Sequence, residues 1–134
     1  MQRRDVLKSV FLPVVAQAAP AGSPPANLRL LGQDRYFAKP GKAEEVYRWR
    51  LHACDVAETL GAPRGVVFRG AGGNEPDVIW QVEFPDRESA RRAHRRVMDA
   101  PEFKAVQAHM GTLIRRYEGS LYQEVIPTAA QDNA

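Results

Sequence analysis

Two different spacings of apolar residues occur along this chain, and the order in which they occur is the feature that most constrains its fold. The apolar residues Val78, Trp80, Val82 and Phe84 occupy every second position, a spacing typical of a β-strand. In residues 42–60, apolar side chains recur at steps of three and four, which is typical of one face of an α-helix. The members of this helical face are Val46, Trp49, Ala53, Val56 or Ala57, and Leu60. Because both spacings recur along one continuous segment, the sequence predicts a single domain of mixed helices and strands.

The predicted elements follow one another as strand, helix, strand, strand, helix and strand, with a short additional helix before the last strand. Turn and cap residues mark their limits, among them Pro40-Gly41, Gly61-Ala62-Pro63 and the N-cap residue Asp86. The predicted strands are 28–38, 64–70, 77–84 and 112–125, and the predicted helices are 42–60, the segment between Asp86 and Asp99, and 102–110. This order is the ferredoxin-like split βαβ arrangement, so we expect an α+β fold, a ferredoxin-like βαββαβ sandwich over residues 28–125.

The predicted strands carry apolar residues on parts of both faces. Ile79 lies opposite to Trp80, and Ile114 lies opposite to Leu113. In a sandwich of this type the helices cover one face of the sheet, and a domain of this size does not leave a large apolar face in water. We therefore expect a homodimer that forms through the sheet faces.

The first 18 residues have the three parts of a secretory signal. A charged segment is followed by the short apolar stretch 10–16 and by a small-residue cleavage site at Ala16-Gln17-Ala18. The segment resembles a bacterial twin-arginine signal, and the residues that match that motif are Arg3, Arg4, Leu7 and Lys8. The resemblance implies contact with the export translocon and a location in the periplasm or cell envelope. The general secretion route and an amphipathic N-terminal helix of the mature protein are the alternatives.

Both ends of the predicted domain are flanked by segments of a different composition. Residues 19–27 are rich in proline, alanine and glycine, which predicts a flexible spacer. Residues 126–134 predict a disordered C-terminal tail. Between them, the 134-residue chain has room for one domain of ordinary size.

Charge and composition exclude several classes of function. The net charge is +3, but residues 1–18 hold three basic residues and one acidic residue, which leaves 16 basic and 15 acidic residues for the rest. A nearly neutral body lacks the basic surplus that nucleic-acid binding requires. One cysteine and three histidines cannot form a zinc site of the usual Cys/His spacing, so we expect no metal. Cys54 lies in the helical pattern and is interpreted as a small packed side chain rather than a reactive thiol.

Residues 35–124 resemble the dimeric α+β-barrel superfamily and, within it, NIPSNAP-type domains. The resemblance rests on three segments, which are Tyr36–Lys42, Val78–Phe84 and Asp99–Phe103. It implies a homodimer whose two sheets face each other and enclose a cavity. The superfamily includes haem-degrading and quinol-type monooxygenases, and NIPSNAP-type members mostly lack an assigned reaction.

Candidate site residues come from the aromatic and histidine positions. Haem-degrading relatives use an asparagine, a tryptophan and a histidine; Trp80 and His94 match the last two types, whereas Asn27 lies before the first strand. His52 lies one helical turn after Trp49, where an acid/base group would face a pocket. The candidate catalytic residues are therefore His52 and His94, and the candidate ligand-binding residues are Trp49, His52 and Trp80.

Three functions remain open at this point, and the sequence does not decide whether the protein is an enzyme. The first is an exported NIPSNAP-like dimer that binds a hydrophobic or amphipathic small molecule, or that acts as an accessory subunit, without a cofactor. The second is a cofactor-independent or haem-degrading-type monooxygenase. The third is a purely structural interaction domain.

Overall fold

The computed structural model describes residues 28–127, which form four strands, three α-helices and one 3-10 turn. The predicted signal peptide, the spacer and residues 128–134 of the predicted tail lie outside the described residues. Along the chain the elements are β1 (Leu30–Ala38), α1 (Ala43–Thr59), β2 (Val66–Arg69), the 3-10 turn Ala71–Gly73, β3 (Val78–Phe84), α2 (Arg87–Met98), α3 (Pro101–Leu113) and β4 (Ile114–Gln123). None of the helices in 28–127 is long and apolar enough to cross a membrane.

The strands form one antiparallel sheet in the order β2-β3-β1-β4. This order and the alternation of helices and strands confirm the predicted ferredoxin-like α+β fold. In β1 and β3 the even-numbered residues face the helices and are buried, as in Leu30, Tyr36, Val78 and Phe84. The odd-numbered residues lie on the other face, which no helix of the described residues covers.

The boundary between α3 and β4 differs from the prediction. The helix was predicted to end at residue 110, with a strand from residue 112, but α3 continues to Leu113 and β4 begins at Ile114. Phe103, Val106 and Met110 are buried at helical spacing, and Leu113 continues the same buried face by one turn. Packing of this face against the core therefore extends the helix through Gly111 and Thr112, which are weak helix formers.

The buried face of α1 also differs from the predicted face. Its buried residues are Val46, Arg50, Ala53, Cys54 and Ala57, whereas Trp49 and Val56 are only half-buried. The face that meets the sheet is thus rotated by about one position and includes an arginine. Cys54 is 1% exposed, in agreement with its interpretation as a packed side chain.

Candidate functional site

Asp34 is an acidic residue in the hydrophobic core. The alternation of β1 directs its side chain to the helix-covered face, where the residue is 0% exposed. Its neighbours across the sheet are Trp80 on β3 and Gly119 on β4. The Tyr117 hydroxyl of β4 donates a hydrogen bond of 2.6 Å to Asp34 Oδ1. Among residues 28–127 no hydrogen bond to Asp34 Oδ2 is formed.

Burial dominates the ionisation of this carboxyl. Loss of hydration raises the pKa of Asp34 to about 7, against the opposing effects of the Tyr117 hydrogen bond and the positive charge of Arg50. Near neutral pH, Asp34 is therefore divided between its protonated and ionised forms. A carboxyl with this property in the core is the kind of group that often marks a functional site.

Arg50 of α1 is the buried positive charge next to Asp34. It is 1% exposed, and its Nη1 atom donates a 3.1 Å hydrogen bond to the Tyr36 hydroxyl. Its guanidinium carbon lies 4.3 Å from the centre of the Trp80 ring, which is a cation-π contact, and Nη2 lies 3.9 Å from the Cys54 sulfur. Burial raises the pKa of the Tyr36 hydroxyl, so this tyrosine is neutral and serves as a hydrogen-bonding group.

A cavity of about 50 Å³ lies between the sheet and helices α1 and α2, with Arg50 in its wall. Phe84 and Phe103 form part of its apolar lining, and Pro63 and His94 belong to its more exposed part. Trp80 completes the wall next to Arg50, and its Nε1 atom donates a 2.9 Å hydrogen bond to the Arg64 carbonyl. Partial burial lowers the pKa of His94, so its imidazole is neutral near pH 7.

The predicted ligand-binding residues do not share one site. Trp49 and His52 lie on the outer side of α1, where their rings contact each other at 5.0 Å and Trp49 also contacts His109 of α3 at 4.1 Å. With Arg48 they line a shallow surface groove. Trp80 lies on the inner side of the helix layer and shares the cavity with His94 instead. Of the four candidate residues, the structure therefore brings together Trp80 and His94.

Asp34, Arg50 and Tyr117 belong to the interior site but were not among the predicted candidates. Two signals were present in the sequence. Asp34 occupies an even position between Leu30 and Tyr36, where a strand with a buried face should carry an apolar residue. Arg50 stands one turn after Val46 on the helix. Burial of both charges follows only from the packing of α1 on the sheet.

The cavity does not fit a porphyrin. Pockets for drug-sized ligands measure roughly 300–1,000 Å³, several times the volume between the sheet and the helices. The Trp80 indole N–H is hydrogen-bonded to the Arg64 carbonyl, and the Arg50 guanidinium covers its ring. The cross-strand neighbour of Trp80 on β1 is Asp34. A separate finding concerns metal ions bound directly by the protein: within residues 28–127, no group of three or more His, Cys, Asp or Glu side chains is arranged to hold one.

Comparison with known proteins gives similarity at the level of structure. No family model matches the chain, and no curated protein matches it. Among solved structures, a NIPSNAP family protein from Agrobacterium tumefaciens is similar with a TM-score of 0.58 and 15% identity, over 72% of this chain and 86% of that one. A putative antibiotic biosynthesis monooxygenase from Bacteroides thetaiotaomicron is similar with a TM-score of 0.58 and 15% identity, over 77% of this chain and 95% of that one.

A third similar structure, from Bacteroides fragilis, is described as a dimeric protein of unknown function with a ferredoxin-like fold. It has a TM-score of 0.56 and 10% identity, over 72% of this chain and 96% of that one. At these identities the similarity concerns the fold, and different functions occur on one fold. The described part of the chain is a ferredoxin-like α+β domain.

Proposed function

We propose that the protein binds a small amphipathic molecule in the cavity between the sheet and the helices. The observation that carries this proposal is the buried guanidinium of Arg50 in the wall of an otherwise apolar cavity. Ligand sites typically combine apolar lining with a few polar groups that fix the orientation of the ligand. Here Arg50, which packs on the Trp80 ring, supplies the fixed polar end, and His94 lies at the more exposed end.

The volume of the cavity limits how much of a ligand it can enclose. A cavity of about 150 Å³ is large enough for benzene, and this one measures about 50 Å³. It therefore holds a molecule of a few atoms, or one end of a larger molecule whose remainder extends past Pro63 and His94. The ends of α1 and α2 would contact that remainder.

Native mass spectrometry of the protein purified from its own host tests this proposal. We expect a retained small-molecule mass that is lost when Ala93→Leu fills the cavity, because Ala93 is buried in its wall. His52→Gln is the matched control, since it alters only the outer groove and should retain the mass. Loss of the mass in the control and retention in Ala93→Leu would place the ligand outside the cavity. An empty protein in every preparation would contradict ligand binding and favour a structural interaction domain.

A cofactor-independent monooxygenase is the second candidate. Two similar solved structures, from Bacteroides thetaiotaomicron and Nitrosomonas europaea, are described as putative antibiotic biosynthesis monooxygenases. In such a reaction an activated ring methylene and O₂ give a carbonyl and water, so one oxygen atom enters each product and the substrate supplies all the electrons. Asp34, whose pKa is raised to about 7, is the buried group whose acidity suits acceptance of the methylene proton, and its contact with a substrate would require an opening beside it.

An oxygen electrode with anthrone as the probe substrate distinguishes this candidate from simple binding. Catalysed oxygen uptake that falls at least about tenfold in Asp34→Asn would support an enzyme, since general bases contribute about 10²–10⁴-fold. His52→Gln serves again as the control. Oxygen uptake no faster than in buffer would show that the protein does not oxidise anthrone-type substrates.

The uncovered sheet face is consistent with a homodimer, which we also propose. Its centre is polar, because Arg35 donates hydrogen bonds to Gln33 Oε1 at 2.6 Å and Ser120 Oγ at 2.8 Å. Its margins are apolar and exposed, with Phe68 48% and Tyr122 50% accessible. A dimer would bury these side chains, and one similar structure is described as dimeric.

Light scattering at micromolar concentration tests the dimer. We expect twice the monomer mass, and a shift toward monomer in Phe68→Asp because the aspartate would enter the interface. Arg91→Glu, on the exposed surface of α2, should leave the mass unchanged. A wild-type monomer would refute dimerisation through this face.

Export to the periplasm or cell envelope is a further part of the proposal and rests on the N-terminal sequence pattern. Replacing Arg3 and Arg4 by lysine should block a twin-arginine route and leave the protein in the cytoplasmic fraction of its host. Unchanged fractionation of the lysine variant would favour the general secretion route. Cytoplasmic wild-type protein would contradict export.

A further inference from the structure

The interior site holds a buried carboxyl, Asp34, and a buried guanidinium, Arg50, which interact electrostatically. Asp34 lies on β1 opposite Trp80, and Arg50 covers the Trp80 ring from the helix side at 4.3 Å. Tyr36, two residues after Asp34 on the same strand face, accepts the hydrogen bond from Arg50. Arg50 therefore lines the cavity and also acts electrostatically on the Asp34 carboxyl, which is not part of the cavity wall.

We propose that the ligand of this cavity is a small organic anion, with a carboxylate as the simplest example, and that the site takes up a proton at Asp34 when the anion binds. The inference rests on the proposed ligand-binding function and specifies the charge of the ligand and its dependence on pH. When Asp34 is ionised, its charge offsets that of Arg50, and the cavity offers little attraction to an anion. When Asp34 is protonated, the site carries a net positive charge.

The geometry allows Asp34 to change charge without leaving its position. Oδ1 is held by the Tyr117 hydroxyl at 2.6 Å, which remains a donor whether the carboxyl is ionised or protonated on the other oxygen. Oδ2 is the oxygen without a hydrogen bond among the described residues, and it is the natural position for the added proton. An anion next to Arg50 would raise the proton affinity of Asp34 further, because like charges in a buried site disfavour each other.

The groups that face Asp34 are few. Its own strand contributes Tyr36 and, from the opposite sheet face, the charge of Arg35; β4 contributes Tyr117; and α1 contributes Arg50. The cross-strand neighbour on β3 is Trp80, which has no charge. Both tyrosines remain neutral through the physiological range because burial raises their pKa values. Asp34 is thus the group in this cluster whose charge changes near neutral pH.

His94 lines the cavity and is a second titratable group, whose effect must be distinguished from that of Asp34. Protonation of His94 would also favour an anion, so it produces the same direction of pH dependence. Burial lowers the pKa of His94 below 6.5, whereas that of Asp34 is raised to about 7. The two effects therefore fall in different pH ranges, and separate variants can resolve them.

Acetate and acetamide form a suitable pair of probes, since they have nearly the same shape and acetate stays anionic above pH 6. Binding can be followed by NMR at the indole N–H signals of the two tryptophans. Trp80 donates this N–H to the Arg64 carbonyl inside the site, and Trp49 in the outer groove is an internal reference. The titrations use the full chain at constant ionic strength between pH 6 and pH 9.

We expect acetate, but not acetamide, to shift the Trp80 signal. The dissociation constant of acetate should rise between pH 6 and pH 9. The expected increase is about fivefold or more, which is the size typical of coupling between two sites. Asp34→Asn should bind acetate with a constant that is nearly independent of pH, because the amide stays uncharged. His94→Gln should keep the wild-type dependence. Tyr117→Phe, which removes the hydrogen bond to Asp34, should move the dependence to higher pH and provides a second variant.

Three results would overturn the inference while leaving the proposed binding function intact. The first is acetate binding with the same affinity at every pH, and the second is a pH dependence that His94→Gln removes and Asp34→Asn keeps. The third is equal binding of acetate and acetamide. If neither probe shifts Trp80 and native mass spectrometry finds no retained mass, the proposed function itself fails together with the inference.

Discussion

The stability of the protein should report the burial of Asp34 directly. The carboxyl has an ordinary value of 3.8 in the unfolded chain and a pKa of about 7 in the folded protein. Between these values the unfolded chain binds fewer protons than the folded protein, so stability is full below pH 3.8 and falls as pH rises toward 7. One pH unit corresponds to about 1.4 kcal/mol, and the complete loss therefore amounts to about 4 kcal/mol.

Asp34→Asn removes this charge while keeping the shape of the side chain and an acceptor for the Tyr117 hydroxyl. The amide group brings a constant free-energy difference, because a buried N–H₂ needs a partner, but that difference does not change with pH. Relative to the wild type, the free energy of unfolding of the variant should rise by about 3 kcal/mol between pH 5 and pH 8. The direction is an increase because only the wild type acquires a buried charge.

Urea unfolding at pH 5, 6, 7 and 8 and at one protein concentration measures this difference. Subtracting the free energy of unfolding of the wild type at each pH cancels the contributions of the other titratable groups. One of them is His94, whose lowered pKa makes the protein less stable as pH falls. A variant whose stability runs parallel to that of the wild type, within about 1 kcal/mol, would show that Asp34 is not buried as a charge near neutral pH. The reasoning about the interior site would then be wrong.

Three further substitutions, with Gly72→Ala as a control, test the contacts around the site. Gly65→Ala should destabilise the protein by more than about 1 kcal/mol in urea unfolding, because φ at Gly65 is +70° and the new Cβ would lie 2.5 Å from Trp80 Nε1. Gly72→Ala is the control, since φ there is +62° but no atom lies near the new Cβ. It therefore measures the contribution of the backbone conformation alone. Trp80→Phe should cost about 0.5–1.5 kcal/mol, since it removes the part-buried hydrogen bond to the Arg64 carbonyl, and an unchanged midpoint would contradict that hydrogen bond. Tyr117→Phe should raise the pKa of Asp34 and move the pH-dependent loss of stability to higher pH; a shift to lower pH would show that Tyr117 does not stabilise the ionised carboxyl.

The order of strands and helices could be predicted from the sequence because each element is encoded by local spacing. The alternation from Val78 to Phe84 needs only neighbouring residues to be recognised, and it corresponds to β3. The Asp86 cap is equally local, since its carboxylate accepts the backbone N–H of Ser89 at 2.7 Å. The end of α3 could not be predicted in this way, because its last turn is stabilised by packing of Leu113 rather than by helix propensity.

The residues of the candidate site follow from the sequence less completely than the order of the strands and helices does. Trp80 and His94 were identified by residue type and do share the cavity. Trp49 and His52 were grouped with them because the apolar face of α1 was placed one position away from its true orientation. A helical pattern with half-buried aromatic residues on one edge does not define which edge meets the sheet.

The sequence alone thus determined the α+β class, the strand order expected for a ferredoxin-like domain and the caps that delimit its second helix. These properties follow from the spacing of apolar residues and from side chains that act on adjacent backbone. Only the tertiary structure decided that Asp34, Tyr36, Arg50 and Tyr117 form one cluster next to Trp80. Their contacts join two strands and a helix, and the burial that changes the ionisation of Asp34 exists only when those elements have packed together.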